Sequence, residues 1–270
     1  MNDHRHLPNL DRLSVILAII LIAYAITSFI KFPTQTINLQ LPGFLLTLNL
    51  NIYTVIVIIV AVLAAAGVEW LISVHPHLPA EGRWQHWLIP AFTAAAVGVP
   101  LHTLRVNPAW WVVFAFGGIL LAGVFVAEYI SVDRQDMRFS FASFGLIDVS
   151  FALFLVLVTA SKGAGLRLYV LLATLIPTIF LITARSMYLR LGGKWKLAWA
   201  SGITLILAQL TASLFYLPMR PLQYGLILLG AFYGLLTVAT NLEEKQPAPA
   251  VWLEPVLMSA VFLGLSLLIK

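Results

Sequence analysis

The chain has 270 residues, 61% of them hydrophobic and only 10% charged, and its mean hydropathy is +0.95. A water-soluble fold of that composition lacks the polar side chains to cover its own surface, so lipid is the expected solvent. The lack of any cysteine excludes disulfides, thiolate nucleophiles, iron–sulfur clusters and cysteine-ligated zinc. The net charge of +5 comes from basic residues scattered mostly singly near the ends of apolar runs, which reads as membrane anchoring rather than nucleic-acid binding.

Nine apolar runs follow one another along the chain, at 13–31, 52–73, 86–104, 109–130, 139–160, 167–186, 197–217, 221–241 and 251–269. A bilayer core takes about 20 residues per helical span, so these runs use nearly the whole chain. They predict an all-α membrane protein, a bundle of about nine transmembrane helices in a single polytopic domain over 1–270. Trp70, Trp84, Trp87, Trp110, Trp111, Trp195, Trp199 and Trp252 fall at or near the ends of runs, where an amphipathic ring is most stable.

The first run contains Ala23-Tyr24-Ala25, which resembles a signal-peptidase site, but the apolar character continues through Ile26, Phe29 and Ile30. A retained first helix is expected. Between the first and second runs the period changes to two: Ile37, Leu39 and Leu41 alternate with Asn38 and Gln40, and Leu46, Leu48 and Leu50 with Thr47, Asn49 and Asn51. That alternation predicts a β-hairpin on the outer surface, with Pro42-Gly43 in the middle of a type II turn. It reads as a topological spacer with its leucine face against lipid or helix ends, or as an edge for a partner.

The second and fourth runs close alike. Gly67–His75 reads GVEWLISVH and Ala127–Asp133 reads AEYISVD, a similarity expected if helices one to two and three to four descend from a duplicated hairpin. The segment Ala66 to Pro76, closing a helix after an outer hairpin, resembles a pattern in a family of multi-pass bacterial membrane proteins whose domain has no known function. The resemblance implies a bacterial plasma membrane (inner membrane) and no particular chemistry.

Orientation follows the placement of Lys and Arg. With the amino terminus cytoplasmic, the inner side receives Arg5, Arg12, Arg83, Arg134, Arg138, Arg185, Arg190, Lys194, Lys196 and Lys245, against Lys31, Arg105, Lys162, Arg167, Arg220 and Lys270 outside. The excess places the carboxyl terminus outside.

Four residues are candidates for binding. Asp148 lies about 14 Å into a helix that starts near Phe139, close to mid-membrane, where a carboxylate needs a partner, a proton or a polar cavity. A helix starting near Leu146 instead puts Asp148 at a helix amino terminus, where the dipole favours it. Glu69 and Glu128 sit near the inner ends of helices two and four, with Arg185 at the same level on helix six. Together these three read as a site for a lipid headgroup, a cation or a relayed proton, or as structural ion pairs.

No cofactor and no metal is expected. His75-Pro76-His77 with His86 and Glu81 invites a metal site, but i, i+2 spacing across a proline is not a helical ligand pair, and His102 has no facing partner for haem ligation. Intramembrane prenyltransferases need two aspartate-rich motifs for magnesium, and only Asp133-Arg134-Gln135-Asp136 is remotely similar. No GxSxG supports a serine hydrolase, and Gly192-Gly193 lacks the context of a phosphate loop. The loop Arg185–Lys196 mixes cations with Tyr188 and Trp195 as an anchor on anionic lipid does. Gly230-Ala-Phe-Tyr-Gly234 permits tight helix packing, inside the protein or with another copy.

The sequence therefore supports a non-catalytic scaffold or accessory subunit first, a transporter or lipid-binding protein with an intramembrane acidic site second, and an enzyme on a membrane-embedded lipid third. The expected partners are membrane lipids, with a protein partner or a second copy as further candidates, and no nucleic acid.

Overall fold

The computed structural model describes residues 8–29, 35–41, 44–50, 52–76 and 83–269. Among them are nine α-helices: α1 (Leu10–Phe29), α2 (Ile52–Ile72), α3 (Leu88–Thr103), α4 (Pro108–Ile130), α5 (Phe139–Gly163), α6 (Leu168–Arg190), α7 (Leu197–Phe215), α8 (Pro221–Glu243) and α9 (Ala248–Leu268). A single 3₁₀ turn, η1 (Trp84–His86), precedes α3. Strands β1 (Gln35–Leu41) and β2 (Phe44–Leu50) pair antiparallel, with Ile37 opposite Leu48 and Leu39 opposite Leu46. Pro42-Gly43, His4, His6, His77 and Glu81 lie outside the described residues.

Seven helices among the described residues, α2 and α4–α9, carry stretches long and apolar enough to cross a membrane, against the nine expected. The shortfall is clearest at α3. Its run was expected over 86–104, but the chain turns as η1 first and leaves an α-helix of 16 residues, about 24 Å long against a hydrocarbon core of about 30 Å.

The chain folds as two compact units, Met1–Ala142 and Ser143–Lys270. In the first, Ile16, Ile20 and Tyr24 of α1 and Val60, Ala64, Val68 and Leu71 of α2 recur every three or four residues and so line one face of each helix. They share a core with Ala94, Val97 and Leu101 of α3 and Trp110, Leu121, Phe125 and Tyr129 of α4. Close approach needs small residues. A Cβ on Gly67 would meet Ile16 Cγ2 at 2.5 Å, and one on Gly117 would meet Val97 Cγ1 at 2.5 Å. Polar side chains lock the same seams: the Tyr24 hydroxyl donates to the Ala94 carbonyl, and Trp110 Nε1 to the Leu101 carbonyl at 3.0 Å. Helix α4 starts where Asn107 Oδ1 accepts from the Trp110 amide at 3.0 Å, with Pro108 opening the first turn.

The second unit is built around α8. Phe232 sits edge-on to Phe151 and Phe154 of α5, and Gly225 lies against Thr159 and Leu155. Gly230 and Gly234 face α9, where an added Cβ would meet Phe262 Cβ at 2.9 Å and Ser259 Oγ at 2.6 Å. The GxxxG pair thus serves packing within the chain, and Ser259 Oγ donates to the Gly230 carbonyl at 2.9 Å across that seam. The opposite surfaces are apolar and uncovered: Val112, Phe116 and Ile119 on α4 and Leu253, Val256 and Leu257 on α9 are all more than half exposed.

Candidate functional site

The polar side chains of the first unit gather where α2 and α4 end and η1 begins. Helix α4 carries Glu128 in its last turn, with its side chain wholly buried. Because η1 is a tight turn, successive side chains leave it in different directions. His86 turns inward, so that its Nδ1 lies 2.6 Å from Glu128 Oε2, and its side chain is 4% exposed. The next residue, Trp87, turns the other way and donates from Nε1 to Glu69 Oε2 of α2 at 3.0 Å. Arg83 reaches the second oxygen, Oε1, at 2.7 Å. A five-residue stretch therefore holds Glu69 and Glu128, two of the three carboxylates expected at a site, one from each helix.

Around this clamp the helix ends are finished by serine. Ser131 Oγ donates to the Glu128 carbonyl at 2.9 Å and lies 3.4 Å from His86 Nδ1. Ser73 Oγ donates in the same way to the Trp70 carbonyl at 2.8 Å, and Arg12 of α1 donates to that carbonyl at 2.8 Å while stacking over the Trp70 ring. The two similar sequence segments thus share one local geometry. His75 packs edge-on against Tyr129, with ring centroids 4.7 Å apart, and both are buried.

Chemically, His86 Nδ1 either donates to an ionised Glu128 or accepts from its carboxyl, according to which of the two atoms carries the hydrogen. The Gln85 amide, 3.5 Å from His86 Nε2, can face a neutral ring nitrogen with its NH₂ or, turned over, a protonated one with its oxygen. Ser131 approaches the same ring nitrogen as Glu128, so the three do not form a nucleophile–base–orienter series, in which the ring needs a partner on each nitrogen.

Of the four residues expected at a site, Glu69 and Glu128 lie in the first unit and Asp148 and Arg185 in the second. Arg185 is 1% exposed on α6, its guanidinium 5.5 Å from the Tyr188 ring centroid. Asp148 is the tenth residue of α5. The helix runs unbroken from Phe139, so the later start at Leu146 does not occur and Asp148 lies about 14 Å along it. Its side chain is exposed, and no described group bonds to its carboxylate. Asp133 and Asp136 build the α4–α5 loop: Asp133 Oδ1 accepts from the Gln135 amide at 2.9 Å, and Asp136 Oδ2 from Arg138 at 2.7 Å. Hydrogen bonds to the Asp136 carboxylate raise the pKa of the Arg138 guanidinium above its ordinary value. Among the described residues no group of three or more His, Asp or Glu side chains is arranged to hold a metal ion.

Over residues 32–269 the sequence matches the family described as Protein of unknown function (DUF5656). The chain belongs to that family. The match takes in α2 to α9 with η1, and hence both carboxylates of the clamp and Asp148, so these residues lie in the DUF5656 region itself. No curated protein and no solved structure matches the chain.

Proposed function

We propose that the chain is an integral, multi-pass protein of a bacterial plasma membrane and acts there as a non-catalytic scaffold or accessory subunit. One observation carries this reading: the ionisable groups gathered in the first unit bind one another and hold α2, η1 and α4 together. An enzyme or carrier aims such groups at a substrate, whereas Glu69 meets Arg83 and Trp87, and Glu128 meets His86.

The uncovered apolar faces of α4 and α9 support lipid as their surroundings. In this reading α1, with 20 residues, and the stretch from Trp84 to Thr103 join the seven apolar helices to give nine crossings. The amino terminus is then cytoplasmic, the carboxyl terminus outside, and the Arg185–Lys196 loop lies on anionic headgroups. Extraction in mild detergent should recover the chain in a discrete complex with another membrane protein, unchanged by Glu128→Gln or Glu69→Gln. Recovery as a free monomer, or a change in membrane lipids on deleting the chain, overturns the proposal.

A second reading, a transporter or lipid-binding protein using Glu69, Glu128, Arg185 and Asp148, is favoured by the buried His86–Glu128 contact, an imidazole and a carboxyl group 2.6 Å apart, between which a proton can pass. It predicts proton flux through vesicles of the purified chain, lost in Glu128→Gln. Flux that is absent, or unchanged by the substitution, sinks it.

A further inference from the structure

We propose that the outer face of α5 is a docking surface for a transmembrane helix that carries a lysine or arginine near its midpoint. Phe141, Phe144, Gly145, Asp148, Ala152 and Val156 are all exposed, and their spacing of three and four residues makes them one stripe along the helix. Leu146, Ile147, Phe151 and Phe154 occupy the buried side.

The stripe has a shape. Gly145 stands one turn before Asp148 and Ala152 one turn after it, and a Cβ placed on Gly145 would meet nothing within 4 Å. Phe141 and Phe144 stand at one end and Val156 at the other. The result is a shallow saddle whose floor carries the only carboxylate of the helix. Small residues beside a polar one let a second helix backbone approach closely enough to bond it.

Charge selects the occupant. Lipid tails have no donor for Asp148, and no described side chain bonds to it. A second copy meeting the stripe symmetrically sets two Asp148 carboxylates against each other. Arg185 and Lys162 of this chain do not supply a donor: Arg185 is 1% exposed, and Lys162 Nζ donates to the Phe215 carbonyl at 2.6 Å. What complements the saddle is a cation on another polypeptide at the same depth.

This inference rests on the accessory-subunit reading, but its test is separate. A dye is attached to one cysteine introduced into this cysteine-free chain, and energy transfer is measured in phosphatidylcholine vesicles to leucine–alanine transmembrane peptides with a central Lys, Leu or Glu. The Lys peptide should associate roughly 3- to 30-fold more tightly than the Leu peptide. Asp148→Ala should abolish the preference, and Asp148→Glu should keep it. Equal association of the Lys and Leu peptides overturns the proposal, as does a preference that survives Asp148→Ala, a preference for Glu, or Asp148-dependent association between copies of the chain. Absence of the peptide preference in the unaltered chain while its native complex is recovered sinks the docking face alone; failure of the unaltered chain to be recovered in any complex sinks the broader reading.

Discussion

Replacing His86 by alanine removes the ring nitrogen that lies 2.6 Å from Glu128 Oε2, on a carboxylate side chain with no exposure. Two magnitudes compete for the outcome. Breaking a buried ion pair from one side costs about 3–5 kcal/mol, because the remaining charge is stranded. A neutral interhelical hydrogen bond in a membrane protein averages about 0.6 kcal/mol. His86→Ala leaves a buried carboxyl group without its imidazole partner, so its loss should approach the larger figure. Glu128→Gln keeps the shape and a neutral hydrogen bond, so it should fall near the smaller. Unfolding of the purified chain in mixed micelles, titrated with dodecyl sulfate and followed by circular dichroism, measures both. If His86→Ala costs no more than Glu128→Gln, the pair does not hold α4 to η1 through charge, and the clamp argument fails.

Arg83→Ala breaks an ion pair whose side chains are 42% and 30% exposed, so the same titration should detect a loss below about 1 kcal/mol. Gly230→Ala sets a Cβ 2.9 Å from Phe262 Cβ. Overpacking of about 1–3 kcal/mol should exceed the helix-propensity gain of about 1 kcal/mol, whereas Gly202→Ala, with open space around it, should show the gain alone. Tyr224→Phe removes a buried hydroxyl that donates to the Thr211 carbonyl at 2.9 Å and should cost about 0.5–1.5 kcal/mol in thermal unfolding. Single cysteines in place of Arg134 and Arg220 should react with an impermeant maleimide only from the cytoplasmic and outer sides respectively; labelling of both from one side refutes the proposed threading.

Hydropathy located the helices because a peptide group in hydrocarbon has no partner but its own helix, and that constraint marks every long apolar run. It was blind to η1, since the stretch from Trp84 to Trp87 is amphipathic and carries no period to separate a tight turn from the start of a helix. Glu69 and Glu128 stood out as charges inside apolar runs. His86 did not emerge as the partner of Glu128, because 42 residues separate them and only the inward turn of η1 brings them together. Its one signal was the run of polar and aromatic groups Arg83-Trp84-Gln85-His86-Trp87, too common at interfaces to name a contact. The depth of Asp148 could be read by counting residues, but its direction could not. Phe141 and Phe144 on one side of α5 are as apolar as Phe151 and Phe154 on the other, so no contrast marks which is inward. The same blindness left Gly230 and Gly234 without a partner until Ser259 and Phe262 of α9 were seen against them.

Because His86 closes η1 and Trp87 directly follows it, yet the two hold carboxylates on different helices, the seats of α2 and α4 share one short piece of chain. A substitution that displaces this turn therefore disturbs both contacts at once, and the ends of the two helices cannot be tuned separately.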